Sequence, residues 1–185
     1  MKLTFKSIHG STKSIKEAAE ILTTAFTGLD KDAWPDLESA MKEVLDCLQK
    51  PNICIGAYAE NHDDELCGWI GLRPLYPKTW ELHPLVVKSE YQKMGVGRRL
   101  VEELEKIART NEIAGIVLGT DDETGGTSLS EKAIDGTNVF EEIQKIKNLK
   151  NHPYEFYQRC GYAIVGLIPD ANGKGKPDIW MWKKI

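Results

Sequence analysis

The sequence predicts a single-domain α/β protein with a mixed sheet, and three observations predict it. Short strand-like runs alternate with amphipathic helical stretches along the chain. A turn with two glycines joins one strand directly to a helix. The composition, with 41% hydrophobic and 28% charged residues, is that of an ordinary globular protein. A length of 185 residues suits one domain spanning residues 1–185.

The beginning of the chain predicts one strand followed by two helices. Residues 2–9 alternate apolar and polar side chains loosely, as a strand does. The first helix is expected to begin at Ser14, because Ser14 and Glu17 have the spacing of a capping box. A second helix is expected after Pro35. The apolar faces of the two helices are Ile15, Ala18, Ala19, Leu22 and Phe26, and then Leu37, Met41, Val44, Leu45 and Leu48.

The rest of the chain predicts further strands with helices between them. Strands are expected at residues 52–59, 66–73, 80–88, 113–120, 162–170 and 177–182, with a polar turn at 61–64. Helices are expected to begin at Gly95 and near Pro153. The order is therefore strand, two helices, three strands, helix, strand, helix and two strands. This order indicates a mixed α/β sandwich and not a doubly wound sheet.

Net charge, cysteine spacing and the length of apolar runs limit the partners and the cellular compartment that the sequence predicts. The net charge of −4 argues against non-specific nucleic-acid binding, which needs a basic surface. No apolar run is long enough for a signal peptide or a membrane span. The cysteines lack CxxC spacing and indicate buried free thiols, so we expect a cytoplasmic protein. The histidines lack ligand spacing, so no metal site is predicted, and His152 before Pro153 is placed to cap a helix.

The stretch YQKMGVGRRL, residues 91–100, predicts an anion site. Its glycines remove side chains that would block a phosphate from the unpaired amides at the start of the next helix. The dinucleotide fingerprint needs a third glycine where Leu100 stands, and no Walker loop is present. A tight turn that binds nothing is the alternative. The candidate phosphate-binding residues are Gln92, Lys93, Met94, Gly95, Val96, Gly97 and Arg98.

Two segments in the expected order resemble the GNAT superfamily of N-acetyltransferases. The segments are Val87 and Tyr91 followed by residues 92–97, and Phe156-Tyr157 followed by Gly161-Tyr162. The resemblance implies the GNAT fold over nearly the whole chain, with an insertion between the fifth strand and the fourth helix. It also implies acetyl-CoA as co-substrate, with its pyrophosphate at the glycine turn.

Four further segments resemble bacterial aminoglycoside 6′-N-acetyltransferases: WELHPLVV, LGTDDE, NHPYEFY and PDANGKGKPDIWM. This resemblance implies acetyl transfer to a small cationic amine, most specifically the 6′-amine of an aminoglycoside or amino sugar. Two alternatives stay open: another amine (a polyamine, a peptide or a metabolite), or a non-catalytic acyl-CoA-binding protein.

The strand at 80–88 carries the expected acid–base chemistry. Pro84 cannot donate to a sheet, so the strand should bulge or splay there and leave backbone groups of Leu85, Val86 and Val87 for the pantetheine arm. In the GNAT resemblance Glu81 stands where a general base is found. Its rival is His83, two residues on and on the same face. The alternative for Glu81 is a surface salt bridge.

Acceptor contacts are expected where the fifth strand ends. The acids Asp121, Asp122 and Glu123 would hold an amine by charge-assisted hydrogen bonds, with Asp121 the leading candidate, also for a catalytic role. A solvated acidic run is the alternative. Tyr157 is the candidate acid for the leaving thiolate.

The polar segment 120–151 is expected to carry a short amphipathic helix. Its apolar positions are Phe140, Ile143, Ile146 and Leu149. This insertion either walls the acceptor site or meets a second subunit, which makes a homodimer possible.

Overall fold

A computed structural model of the protein describes residues 2–8, 11–26, 34–60 and 65–185. The expected turn at 61–64, His9 and His62 lie outside these residues. The chain forms two compact units, one of residues 1–114 with 185 and one of residues 115–184, so the single domain stays a prediction. No helix in the described ranges is long and apolar enough to cross a membrane.

The first unit is a four-stranded antiparallel sheet with helices on both faces. Its elements are β1 Leu3–Ser7, α1 Thr12–Phe26, α2 Leu37–Cys47, β2 Ile53–Ala59, β3 Glu65–Pro74, β4 Thr79–Val87 and α3 Val96–Thr110. The strands pair in chain order, β1 with β2, β2 with β3 and β3 with β4. The expected order of elements is confirmed here.

Neighbouring residues of β1 show how the two faces of this sheet are divided. Lys6 lies 4.5 Å from the ring centre of Tyr58, which belongs to the core beneath α1 and α2. Phe5 points the other way and lies 5.1 Å from the guanidinium of Arg99 on α3. Successive side chains of a strand alternate between faces, so α1 and α2 cover one face and α3 covers the other.

The start of α1 differs from the sequence expectation. Helix α1 begins at Thr12, and Ser11 Oγ accepts the backbone N–H of Ser14 at 3.2 Å. The prediction of a capping box at Ser14 and Glu17 was therefore wrong, because Ser11 caps the helix one turn earlier. A capping box does form at the start of α2, where Asp36 and Ser39 bond each other's backbone.

The predicted bulge at Pro84 is confirmed. Ile70 pairs with Leu85 and Leu72 pairs with Leu82, so β4 has one more residue than β3 between the two pairs. The extra length contains Pro84, which has no N–H to give to a ladder.

The second unit is a three-stranded antiparallel sheet with two short helices. Its elements are β5 Gly115–Asp121, α4 Val139–Gln144, α5 Tyr154–Arg159, β6 Ala163–Ile168 and β7 Asp178–Lys184. Strand β7 pairs with β5 on one side and with β6 on the other, which confirms the predicted terminal hairpin.

The helix of the insertion is shorter than expected. Helix α4 ends at Gln144, and Phe140 and Leu149 are 70% and 60% exposed. Apolar spacing suggested a helix through Leu149, but Thr127 bridges to Asn148 instead and ties that end of the insertion to its beginning.

Candidate active site

The glycine turn after β4 has an unusual backbone conformation. A 3-10 turn at Ser89–Tyr91 leads into it, and Gly95 takes the N-cap position of α3 with φ 84°. Lys93 also has a positive φ of 59°, in the left-handed region that a lysine rarely adopts. The segment therefore curls tightly before α3 begins.

The amides of this turn have no acceptor within the fold. Among the described residues, no backbone N–H from Lys93 to Arg98 donates to another group. The first turn of α3 contains no acidic residue. Unpaired amides at a helix N-terminus, with the positive end of the helix dipole behind them, form an anion site.

Gly95 keeps the approach to these amides open. A Cβ on Gly95 would meet no heavy atom of the described residues within 4 Å, so none of them fills the space in front of Gly95. Three basic side chains, Lys93, Arg98 and Arg99, lie in or beside this turn. Arg98 Nε is paired with Glu102 at 3.0 Å, and Arg99 lies against Phe5. Lys93 has no partner among the described residues, so it is the basic side chain left for an anion.

The end of β4 connects this turn to the sheet. The backbones of Leu85, Val86 and Val87 run beside Ile70, Trp69 and Gly68 of β3. Gln92 Nε2 donates to the carbonyl of Val87 at 3.1 Å and closes the turn onto the strand.

A cavity of about 610 Å³ lies between α1 and the turn. Its lining includes Glu17 and Ile21 from α1, and Val87, Lys88 and Gln92 from the turn side. This volume is in the range of small-molecule sites.

Glu81 is paired on the surface of the sheet. Its Oε2 accepts a hydrogen bond from Arg73 Nε at 2.7 Å, and its side chain is 18% exposed. No described residue bonds to Oε1. Glu81 therefore forms the surface salt bridge of the alternative interpretation, but its second carboxylate oxygen, Oε1, is still able to accept a proton.

His83 lies two residues further, next to the helices. Its Nε2 is 3.6 Å from Glu43 Oε1 on α2, and its ring centre is 5.8 Å from that of Trp34. The side chain is 31% exposed, so solvent reaches it. Both candidate bases are present in half-buried positions on β4.

The acids that follow β5 in the second unit have different environments. Asp121 is exposed, and one carboxylate oxygen accepts a hydrogen bond from Asn172 Nδ2. The Asp121 carbonyl is 3.0 Å from His152 Nε2. The other carboxylate oxygen of Asp121 has no partner among the described residues.

Asp122 is fully buried and holds a loop together. Its oxygens accept hydrogen bonds from the backbone of Gly126 at 2.5 Å and of Thr127 at 2.8 Å, and from the hydroxyls of Thr127 and Ser130, both at 2.6 Å. Burial acts to raise the pKa of Asp122, but these hydrogen bonds outweigh it and the net pKa lies below its usual range. This geometry assigns Asp122 to loop folding and offers no open oxygen to an amine.

Glu123 differs from both neighbours. Its Oε2 is buried and has no hydrogen-bond partner in the described part of the chain. Three adjacent acids thus have one exposed, one buried and satisfied, and one partly buried side chain. Of these three acids, Asp121 is the exposed one.

Tyr157 belongs to an aromatic cluster of the second unit. Its ring centre is 5.0 Å from that of Phe156 and 5.9 Å from that of Tyr162. Burial raises the pKa of Tyr157 well above its usual range, so the hydroxyl is protonated at neutral pH. A protonated phenol is what a proton donor requires, and a core aromatic residue would have the same contacts.

A family model described as the acetyltransferase (GNAT) family matches residues 15–127, which include the glycine turn. The chain belongs to the GNAT family of acetyltransferases.

Solved structures extend the similarity of this GNAT chain to its full length. An aminoglycoside 6′-N-acetyltransferase complexed with coenzyme A is 38% identical, with a TM-score of 0.86 over 100% of this chain and 97% of that one. The aminoglycoside 6′-N-acetyltransferase from Enterococcus faecium is also 38% identical, with a TM-score of 0.85 over 100% and 97%. Aminoglycoside 6′-acetyltransferase type Ii is 34% identical, with a TM-score of 0.72 over 98% and 96%. A search of curated protein sequences found no match.

These findings confirm the predicted GNAT fold, acetyl-CoA as co-substrate and N-acetyltransferase activity. The glycine turn of this GNAT fits a phosphate group, because its amides lack acceptors and no Cβ fills the space before Gly95. No group of three or more metal-ligating side chains in the described ranges could hold a metal ion.

Sequence reasoning missed the residues that organise the acidic end of β5 in this GNAT. Asn172 and His152 fix the side chain and the carbonyl of Asp121, and Asp178 lies directly opposite Asp121 in the ladder with β7. The alternation of β7 could have indicated Asp178, but the contacts of Asn172 and His152 join residues far apart in the chain.

Proposed function

We propose that this acetyltransferase acylates the 6′-amine of an aminoglycoside or a related amino sugar. The observation that carries the proposal is the full-length similarity, at 34–38% identity, to three enzymes named for that reaction. The accessible carboxylate of Asp121 supports a cationic acceptor.

The co-substrate supplies an activated acetyl thioester, and the chain has to hold it in place. We assign the pyrophosphate to the free amides of residues 93–98 and to the Lys93 side chain. The backbone of Leu85, Val86 and Val87 is assigned to the pantetheine arm. A fixed thioester turns a bimolecular reaction into an effectively unimolecular one.

The acceptor must lose a proton before its nitrogen can attack the thioester carbon. We assign the general base to Glu81, whose Oε1 is available while Arg73 holds Oε2 and so fixes the orientation of the carboxylate. His83 is the rival base, because its imidazole is also reachable by solvent.

Two side chains of the second unit complete the proposed chemistry. Asp121 binds an ammonium group of the acceptor and orients the amine. Tyr157 gives its proton to the departing thiolate, for which its protonated hydroxyl is suited.

We further propose that the protein works in the cytoplasm and protects its cell from aminoglycosides. Its cysteines are free, and three of them are buried, as in reducing compartments. Acetylation removes a positive charge from the drug and so weakens its electrostatic binding to nucleic acid.

A matched pair of drugs tests the acceptor and its position. Neomycin and paromomycin differ at the 6′ carbon, which carries an amine in the first and a hydroxyl in the second. We expect thiol release from acetyl-CoA with neomycin and little with paromomycin, and a product acetylated at N6′ by NMR. Equal turnover of both drugs would contradict the 6′ position, and turnover with spermidine or peptide amines alone would favour another amine acceptor.

Substitutions on β4 test the base. Glu81→Gln should lower kcat by on the order of 10²–10⁴, with acetyl-CoA affinity unchanged. The loss should shrink as pH rises, because more of the amine is then already neutral. His83→Gln is the comparison: a large loss there, with normal turnover in Glu81→Gln, would make His83 the base.

A further inference from the structure

We propose that Glu65, at the first position of β3, is a positioning residue for the phosphate-binding turn: its carboxylate holds both ends of the segment 88–91. The inference rests on the proposed assignment of the pyrophosphate to residues 93–98. Nothing in the glycine pattern itself points to Glu65, which lies more than twenty residues earlier in the chain.

The two oxygens of this carboxylate have separate partners. Oε1 accepts a hydrogen bond from Lys88 Nζ at 2.7 Å, and Oε2 accepts one from the Tyr91 hydroxyl, also at 2.7 Å. Lys88 is the residue that follows β4, and Tyr91 ends the 3-10 turn before Gln92. One side chain therefore fixes the entry and the exit of the same short segment.

Backbone bonds fix the entry of that segment, and at its exit the Tyr91 hydroxyl adds a bond to β3 beside the bond that Gln92 makes with the Val87 carbonyl. Lys88 N–H donates to the carbonyl of Cys67 at 2.9 Å, which aligns the entry with β3. Tyr91 N–H donates to the Lys88 carbonyl at 2.9 Å. The Tyr91–Lys88 backbone bond stays within the segment, whereas the Tyr91–Glu65 hydrogen bond connects the exit of the segment to β3.

Partial burial makes the clamp stronger than an ordinary surface pair. The side chains of Lys88 and Glu65 are 21% and 33% exposed. Burial acts to lower the pKa of Lys88, but the hydrogen bond and charge of Glu65, together with the charges of Glu17 and Glu90, outweigh it, and the pKa is raised. The hydrogen bond to Glu65 raises the pKa of Tyr91 to about 12, so the phenol remains a donor at neutral pH.

The functional consequence concerns the free amides. Lys93 has a left-handed backbone, and left-handed non-glycine residues persist only where the surroundings hold them. With Tyr91 tethered, the amides of residues 93–98 are already arranged for phosphate, and binding loses less entropy. Without the tether, the turn must be ordered again each time the co-substrate binds.

Charge and positioning predict opposite results for Glu65→Gln. Removing an acid near a phosphate site should strengthen coenzyme A binding, whereas loosening the turn should weaken it. Glu90→Gln is the matched control, because Glu90 is an exposed acid on the same segment whose side chain, within the described part of the chain, bonds only to its neighbour Ser89. We expect about tenfold weaker coenzyme A binding by calorimetry in Glu65→Gln, and unchanged or tighter binding in Glu90→Gln.

Kinetics should separate positioning from general loss of structure. The KM for acetyl-CoA should rise in Glu65→Gln, while kcat and the acceptor KM stay within about twofold. Unchanged coenzyme A affinity in folded Glu65→Gln, or an effect equal to that of Glu90→Gln, would contradict the proposal.

Tyr91→Phe keeps the test valid even where Glu65→Gln folds poorly, because it removes one hydroxyl and no charge. It should weaken coenzyme A binding as well, and the double variant should be no weaker than Glu65→Gln alone, since the two groups act through one bond. Strictly additive losses would contradict the clamp. Failure of the wild-type protein to bind coenzyme A at the turn would instead contradict the proposed co-substrate site.

Discussion

The glycine turn and the acidic end of β5 make a useful comparison, because both were read from the sequence as binding sites. In the turn, the candidate ligand-binding groups are backbone amides that have no acceptor among the described residues. At the end of β5, the candidates are three side chains, and the fold treats each one differently. The carboxylate of Asp122 is buried and hydrogen-bonded within the fold, whereas the carboxylate of Asp121 remains accessible.

The difference shows how far a local sequence pattern can predict a binding site. Every helix start has unpaired amides, so glycine spacing and helix position alone predict an anion site. A carboxylate binds a ligand only if nothing else in the fold uses it. Distant residues such as Ser130 and Asn172 decide that for the acids. Substitutions in the two regions test this difference.

Gly95→Glu should abolish coenzyme A binding, with a loss of more than about 100-fold in affinity. The new carboxylate would project into the open space before Gly95 and repel the phosphate. The positive φ adds some strain, so Gly95→Ala measures that part alone. Gly136→Glu, in the second unit, is the control, because a Cβ there also meets no heavy atom of the described residues within 4 Å. Normal affinity in folded Gly95→Glu, measured by calorimetry, would remove the phosphate assignment.

Asp122→Ala should destabilise the protein without acting on the co-substrate. It removes the acceptor of four hydrogen bonds inside a buried loop. We expect the free energy of unfolding in urea to fall by about 3 kcal/mol. Asp121→Ala, at an exposed position, should cost below about 1 kcal/mol. An Asp122→Ala protein of normal stability but with poor acceptor binding would reverse the assignment of these two acids.

Asp121→Asn should raise the acceptor KM about tenfold, which corresponds to 1.4 kcal/mol at 25 °C. The KM for acetyl-CoA should hardly change. The effect should be greater for a drug with several ammonium groups than for a monoamine, and salt should weaken acceptor binding to the wild type. Glu141→Gln is the control, because Glu141 is an exposed acid of α4 that pairs with Lys145. An equal rise in KM there would mean that only the overall charge matters.

His152 should give the smallest effect, a loss of stability in mild acid. Its Nδ1 accepts the N–H of Tyr154 at 3.3 Å, so the neutral ring carries its proton on Nε2 and donates to the Asp121 carbonyl. Burial lowers the pKa of His152, despite the carbonyl of Asp121 and the charges of Asp122 and Asp121, which act to raise it.

The sign of this pH effect follows from the lowered pKa. Unfolded histidine titrates near 6.5, so below about pH 6.5 the unfolded state takes up a proton more readily than the folded one. The stabilising contribution is complete above that pH and is lost as pH falls toward the folded pKa. His152→Gln should flatten the urea-unfolding stability between pH 7 and 5 relative to wild type. An unchanged slope would show that His152 titrates normally in the folded protein.

The sequence by itself determined the order of helices and strands, the bulge at Pro84 and the glycine turn with free amides before α3. These features depend on spacing within a few residues: helical and strand periodicity, a proline without an N–H, and glycines before a helix. Local errors had local causes as well. Ser11, and not Ser14, caps α1, because the two serines at the start of the helix offer similar capping chemistry.

Only the tertiary structure decided which charged side chains are available to a ligand and which are used in contacts within the fold. Glu81 on β4 forms an ion pair with Arg73 on β3. The carboxylate of Asp122 accepts a hydrogen bond from the Ser130 hydroxyl in the loop that follows it. Glu65 accepts hydrogen bonds from Lys88 and Tyr91, more than twenty residues later in the chain. Each contact joins residues whose separation in the chain carries no periodic signal. A side chain's partners depend on which strands and loops lie beside it, and long-range packing establishes that arrangement.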